Sequence, residues 1–263
     1  MRKLNMLKIA SWNVNSLKVR LEQVLDWLES SQTDILGLQE TKLENHAFPK
    51  EAFKEAGYEV FYNGQKTYNG VAWISRKGMQ DPEEAFPDYA DEQKRVLAVS
   101  VGELRLINFY IPNGQSIGSD KYAYKLEWLS AMQEYVQQQL KKYKHVVVVG
   151  DFNIAPEDRD VHDPKLWEGQ VLVSPEERLA FQKLLGYGLV DAVRLHHHED
   201  NLYSWWDYRA AAFRRQMGLR IDHILLSSGL SAECLASGVD IEPRKHARPS
   251  DHAPVWTTLS LDV

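Results

Sequence analysis

The chain has 263 residues, 44% of them hydrophobic and 26% charged, with a formal net charge of −6. That apolar content excludes intrinsic disorder, and no apolar run reaches the ~18–20 residues that a membrane helix requires. The single cysteine, Cys234, rules out an internal disulfide and a cysteine-based zinc cage, and it fits a reducing compartment. The N-terminus carries two basic residues but neither an uninterrupted apolar stretch nor a cleavage site, so a secretory signal is not expected there. A cytoplasmic, enzyme-sized protein is expected. The acidic balance argues against nonspecific coating of nucleic acid, yet it leaves room for a basic rim around an acidic, metal-holding centre.

Residues 1–6 read as an N-terminal extension and 7–263 as one domain. Residues 7–12 alternate in polarity, the pattern of a half-buried strand. Leu17, Leu21, Val24, Leu25 and Leu28 then recur at helical spacing and predict an amphipathic helix over 17–30. Strands follow at 35–39, 59–62 and 71–75, the last entered through an Asn69-Gly70 turn. Residues 95–101 and 104–110 flank Gly102-Glu103 and predict a hairpin. Leu126, Leu129, Met132, Val136 and Leu140 predict a helix over 122–143, and four consecutive valines mark a strand over 145–149. A third helix is predicted over 175–185, with Pro175 at its start and Gly186 after its end. Segments 203–206, 220–226, 239–241 and 255–259 complete the strand set. Because most strands are joined by turns, the expected class is α+β. The expected architecture is two packed, mostly antiparallel sheets flanked by helices, a four-layer sandwich rather than a doubly wound parallel sheet.

The acids and amides fall at strand ends. Asn13 and Asn15 leave the first strand, Glu40 leaves the second, and Asp151 and Asn153 follow the valine strand. Asp222 lies within an apolar strand, and Asp251 and His252 precede the last one. Such groups are costly to bury unless they are paired or bind a cation. Each alone has an ordinary explanation: a turn residue, a helix cap, or, for Asp222, an ion pair with Arg220 or Arg215. As a set, hard oxygen ligands with one imidazole suit Mg²⁺ or Mn²⁺.

Seven segments carry a resemblance. SWNVNSL (11–17), LGLQETK (36–42), NFYIPNG (108–114), GDFNIAP (150–156), SWWDYR (204–209), GLRIDHILLS (218–227) and PSDHAPV (249–255) stand in that order. Together they resemble the motif set of the exonuclease III family of abasic-site (AP) endonucleases, within the endonuclease/exonuclease/phosphatase superfamily. The resemblance runs from about residue 7 to 259 and implies a deoxyribonuclease I-like fold. It also implies Mg²⁺-dependent hydrolysis of DNA phosphodiesters, with Mn²⁺ as an alternative ion. The reactions implied are cleavage 5′ to abasic sites and removal of nucleotides or blocking groups from 3′ ends, leaving a 3′-hydroxyl.

The same resemblance assigns roles. Tyr110, Asp151, Asn153, Asp222 and His252 are the implied catalytic residues, and Asn13, Glu40, Asp151, Asn153, Asp251 and His252 the implied metal-holding group. Glu40 would bind the principal ion, and Asp151 would orient or deprotonate the attacking water beside Asn153. Asp222 would hold His252 against the scissile phosphate, while the Tyr110 hydroxyl would reach the phosphate or the leaving oxygen. Asn15 stands where some members carry Asp, which makes a ligand there neutral. The implied partner is double-stranded DNA with abasic sites or 3′ ends, met by Asn113, Lys121, Lys125 and Arg209. Strand alternation turns one of Trp205 and Trp206 outward, and the resemblance gives that outward, DNA-contacting role to Trp206. The loop 159–173 is expected beside the nucleotide pocket. A monomer without membrane association is expected. Two rival readings are a same-fold phosphatase acting on a small phosphoester and a non-catalytic DNA-binding module. The first leaves the aromatic residues of 203–208 without a purpose. The second predicts the loss of at least one of Glu40, Asp151, Asn153, Asp222 and His252, and all five are present.

Overall fold

The computed structural model describes residues 6–261; of the expected extension, only Met6 falls within them, and it opens the first strand. In chain order the first half comprises β1 (Met6–Asn13), α1 (Leu17–Ser31), β2 (Ile35–Gln39), α2 (Lys50–Glu55), β3 (Glu59–Asn63), β4 (Val71–Ser75), β5 (Gln80–Glu83), β6 (Val96–Val101) and β7 (Leu104–Tyr110). The second half comprises α3 (Asp120–Lys142), β8 (His145–Asp151), α4 (Pro164–Trp167), α5 (Pro175–Gly186), β9 (Leu189–Asp191), β10 (Asp222–Ser227), β11 (Cys234–Val239) and β12 (Val255–Ser260).

These strands form two six-stranded sheets, ordered β11-β12-β1-β2-β4-β3 and β5-β6-β7-β8-β10-β9. Each sheet contains one parallel pair, β1 with β2 and β7 with β8, and a helix (α1 or α3) makes each crossover. The remaining pairs are antiparallel. Leu7, Ile9 and Trp73 of one sheet pack against Leu97, Val99 and Val149 of the other. Helices α1 and α2 cover the outer face of the first sheet through Val24, Leu28 and Phe53. Helices α3 and α5 cover the second through Trp128, Met132 and Phe181. The result is the expected four layers. With both faces covered, β2 is buried along its whole length, so its sequence shows no alternation.

A polar pin crosses the inter-sheet core below the strand ends. Gln39 donates to Asn108 Oδ1 at 2.7 Å, and Asn108 donates to the Leu38 and Ala72 carbonyls at 3.0 Å. It locks β7 against β2 and β4, one residue before Glu40. At the exit of β8, Gly150 has φ +152°, and a Cβ there would stand 2.0 Å from the Phe109 carbonyl oxygen. Only glycine lets β7 and β8 approach this closely just before Asp151.

Several elements differ from expectation. Residues 203–206 form no strand; Trp205 makes single bridges to Leu219 and to His252. The expected strand at 239–241 is replaced by β11, Cys234–Val239, whose small and polar residues hide its strand character until β12 pairs with it. Polar, largely exposed β5 with its Pro82 and three-residue β9 were beyond the reach of periodicity, as was α2, in which Phe53 is the buried residue. Gly186 closes α5 instead of following it.

Candidate active site

Pairing across the sheets brings the strand-end residues to one edge. Tyr110 stands beside Asp151 across β7 and β8, and Asp151 beside Asp222 across β8 and β10. In the other sheet Asn13 is paired with Gln39, which places Glu40 next in line. The loop before β12 is fixed to β1, since Ser250 Oγ donates to the Asn13 carbonyl at 2.7 Å and Trp12 Nε1 to the His252 carbonyl at 3.2 Å. Glu40 and Asn153 take left-handed backbone angles, φ +51° and +50°, as their strands end. For Glu40 that conformation costs on the order of 1 kcal/mol and must be held by its surroundings.

His252 is the hub. Its Nδ1 donates to Asp222 Oδ2 at 2.8 Å, and its Nε2 faces Asp151 Oδ2 at 3.7 Å. Ser204 Oγ donates to the same Asp222 oxygen at 2.6 Å. Burial alone would lower the imidazole pKa, but the Asp222 and Asp151 carboxylates outweigh it and raise the pKa to about 10. Burial raises the Asp151 carboxyl to about 7; Asp222 and Glu40 push the same way, and His252 and the Asn13 amide oppose. Burial also lifts the Tyr110 hydroxyl well above its ordinary range, and the charges of Glu40 and Asp151 add to the shift. Tyr110 therefore stays a protonated donor.

Glu40, Asp151 and His252 each present an atom within 4.8 Å of the others. Two carboxylates facing a cleft, with a third behind the imidazole, form a donor set and a negative charge excess that fit a hard divalent cation. Of the other predicted ligands, Asn153 and Asp251 line the cleft and Asn13 is buried behind it, each with its atoms engaged. Asn13 Nδ2 donates to both Glu40 Oε1 at 2.8 Å and Asp151 Oδ2 at 2.9 Å, so this amide clamps the two acids together. Its Oδ1 accepts from the Asn15 amide at 2.9 Å. Asn153 donates to the Ile111 carbonyl at 2.9 Å and accepts from Asn113 Nδ2 at 3.1 Å. Asp251 accepts from Asn15 Nδ2 at 2.9 Å and Trp205 Nε1 at 3.0 Å. Arg220 pairs with Asp160 and Asp191, not with Asp222.

These groups open into a cleft of about 340 Å³ lined also by Trp167, Gln170, Val171, Leu172, Trp205 and Arg209, with Trp167 edge-on to Trp205 at 6.4 Å. Residues 10–252 match the model of the Endonuclease/Exonuclease/phosphatase family. The chain belongs to that family. Within the family it is 37% identical to exodeoxyribonuclease III of Haemophilus influenzae, over 95% of this chain and 98% of that one. It superposes on the 3′–5′ exonuclease NExo of Neisseria meningitidis with a TM-score of 0.94 at 46% identity, covering 95% of this chain and 98% of NExo. An AP endonuclease from Archaeoglobus fulgidus gives the same TM-score at 37% identity, covering 97% of this chain and 100% of its own. The family's hydrolytic nuclease chemistry is thus that of this chain, which is an enzyme.

Of the residues expected to meet DNA, Asn113 and Arg209 line the cleft, although Arg209 is ion-paired with Asp207 at 2.6 Å. Lys121 is exposed in an adjoining cleft of about 770 Å³ that shares Tyr110 and Asn113. Lys125 is not available to a phosphate: it is fully buried against Glu177. The tryptophans are reversed. Trp206 is 2% exposed and packs edge-on against Tyr203 and Phe213, whereas half-buried Trp205 faces the cleft. Alternation misassigned them because 203–206 is not a strand, and the Trp206 amide is tied to the Asp251 carbonyl. Trp167 and residues 170–172 of the expected loop do line the cleft. Sequence reasoning passed over Lys42, which pairs with Glu40 at 2.9 Å, and Tyr68, which is 68% exposed in the adjoining cleft. Tyr68 directly precedes the Asn69-Gly70 turn, and an aromatic on a turn was the available signal.

Proposed function

We propose that the chain is a Mg²⁺-dependent DNA-repair phosphodiesterase acting at 3′ ends, releasing phosphate or nucleotides and leaving a 3′-hydroxyl. The observation that carries this reading is the line Asp222, His252, Asp151 with Glu40 alongside, set at the mouth of a cleft. The Asp151 carboxylate lines the cleft beside His252, in place to take a proton from the attacking water. Asp222 fixes His252 so that Nε2–H points toward the phosphate, where a protonated ring neutralises developing charge. Tyr110 donates to the phosphate or the leaving oxygen, and the hydrogen-bonded pair Asn113 and Asn153 borders the same group. Glu40 and Asp151 supply oxygens for the ion; His252, protonated and committed to Asp222, serves the phosphate. The bound ion supplies charge neutralisation at the phosphate oxygens.

The substrate class is supported by a 46% identical Neisseria relative, a 3′ phosphatase bound to a product DNA hairpin. Trp167 and Gln170–Leu172 border the cleft in which the terminal sugar phosphate would sit. A second reading, incision beside abasic sites, is favoured by the A. fulgidus AP endonuclease, whose full length is covered. In either reading one chain supplies every group named, so the proposed reaction calls for no second copy. Three duplexes with Mg²⁺ test it: a 3′-phosphate, a recessed 3′-hydroxyl and an internal abasic site. The two end substrates are expected to react at least ~10-fold faster than the abasic one. The reverse order establishes the second reading, and no product from any duplex overturns both.

A further inference from the structure

Lys125 of α3 and Glu177 in the first turn of α5 form a fully buried ion pair behind the cleft wall. Burial pushes the Lys125 pKa below its ordinary range, against the pull of the Glu177 carboxylate. A buried pair is a weak source of stability, because desolvation offsets the attraction. Its hydrogen bonds point to another role. Besides Glu177, Lys125 Nζ donates to the Asn153 carbonyl at 2.7 Å and the Asn113 carbonyl at 3.1 Å. An ammonium has three protons, and here they go to three separate segments. The Glu177 carboxylate in turn accepts from the Leu172 amide at 3.1 Å and the Ser174 amide at 3.0 Å. Ala155 N donates to the Leu172 carbonyl at 2.8 Å, tying the wall to the exit of β8. Gly114 (φ +92°) lets the lysine stem pass, for a Cβ there would lie 3.1 Å from Lys125 Cδ and 3.0 Å from Val171 Cγ2.

We propose that the Lys125–Glu177 pair is a positioning device that holds the Asn113 and Asn153 amides in register with the Val171–Leu172 wall for a DNA 3′ end. It touches no reacting atom and acts through those residues. The inference rests on the proposed 3′-end reaction.

The test is Lys125→Met combined with Glu177→Gln, which removes the pair without leaving a lone buried charge. Arg105→Met is the control: it breaks the pair of buried Arg105 with half-buried Glu83 at the start of β7, at the opposite end of that strand from Tyr110. Two quantities are read: kcat and KM on a 3′-phosphorylated DNA hairpin, and hydrogen exchange over residues 110–116 and 151–155 without DNA or metal. The double variant is expected to lose ~10-fold or more in kcat with KM within ~3-fold, as misplaced groups do. Exchange in both segments is expected to rise at least ~10-fold, with neither quantity changed by Arg105→Met. Unchanged kcat or unchanged exchange in the folded double variant overturns the device. If the double variant does not fold, Glu177→Gln alone is read on the same two scales. If the wild-type protein releases no phosphate, the reading of the reaction fails, and exchange alone decides the device.

Discussion

Two buried charge clusters flank the start of β10, and they differ in balance. On one side Arg220 and Arg194 meet Asp160 and Asp191, two cations against two acids, in a closed network. On the other side Glu40, Asp151 and Asp222 gather around one imidazole, with Lys42 at the rim. The first cluster is complete without a ligand. The second has an excess of negative charge and opens into the cleft. Buried charge alone does not mark a site; an unbalanced charge beside an opening does.

Substitutions on the two sides should therefore separate function from stability. Asp151→Asn should cut turnover about 10³-fold, within the range for general acid–base groups. It should leave the thermal midpoint unchanged or higher, because it relieves the charge excess. A fall in the midpoint alongside retained turnover would place Asp151 in the structural class. Asp160→Asn should do the opposite, costing about 3 kcal/mol or more in urea unfolding by stranding Arg220 and Arg194, with turnover per folded molecule kept.

His223 extends the contrast to pH. Burial, aided by the neighbouring Arg220, holds its pKa down at about 4. Between pH 6.5 and 4 the unfolded chain takes up a proton that the folded chain refuses, so stability is full above this window and falls as pH drops through it. The loss should approach roughly 3 kcal/mol, and urea unfolding of His223→Gln across that range should show a flatter dependence. The smallest effect is that of Trp205→Ala, which should weaken duplex binding about 10-fold. Trp206→Ala should instead destabilise the fold as other buried aromatics do. A reversal between the two in binding and unfolding measurements would restore the outward assignment of Trp206.

The sequence carried most of the frame because it alternates where one face is buried and repeats helically where a helix covers a sheet. The first and last strands were legible for that reason, whereas the valine strand, buried on both faces, was legible as an unbroken apolar run. The site was legible as residues but not as bonds. Acids at strand ends announced Glu40, Asp151 and Asp222, yet nothing local reveals that Asn13 clamps two carboxylates from different sheets. Lys125 misled because a lysine on a helix near a predicted site reads as solvent-facing, while its true partners lie 12, 28 and 52 residues away. Trp206 misled because alternation was applied to a segment that pairs only through Trp205.

The most direct measurement is the Mg²⁺ dependence of phosphate release from a 3′-phosphorylated DNA hairpin, for the wild-type protein and Glu40→Gln. The account predicts no release in chelator, and a half-maximal Mg²⁺ concentration raised at least ~10-fold by the loss of one carboxylate charge. Full release in chelator, or an identical Mg²⁺ curve for Glu40→Gln, would contradict it.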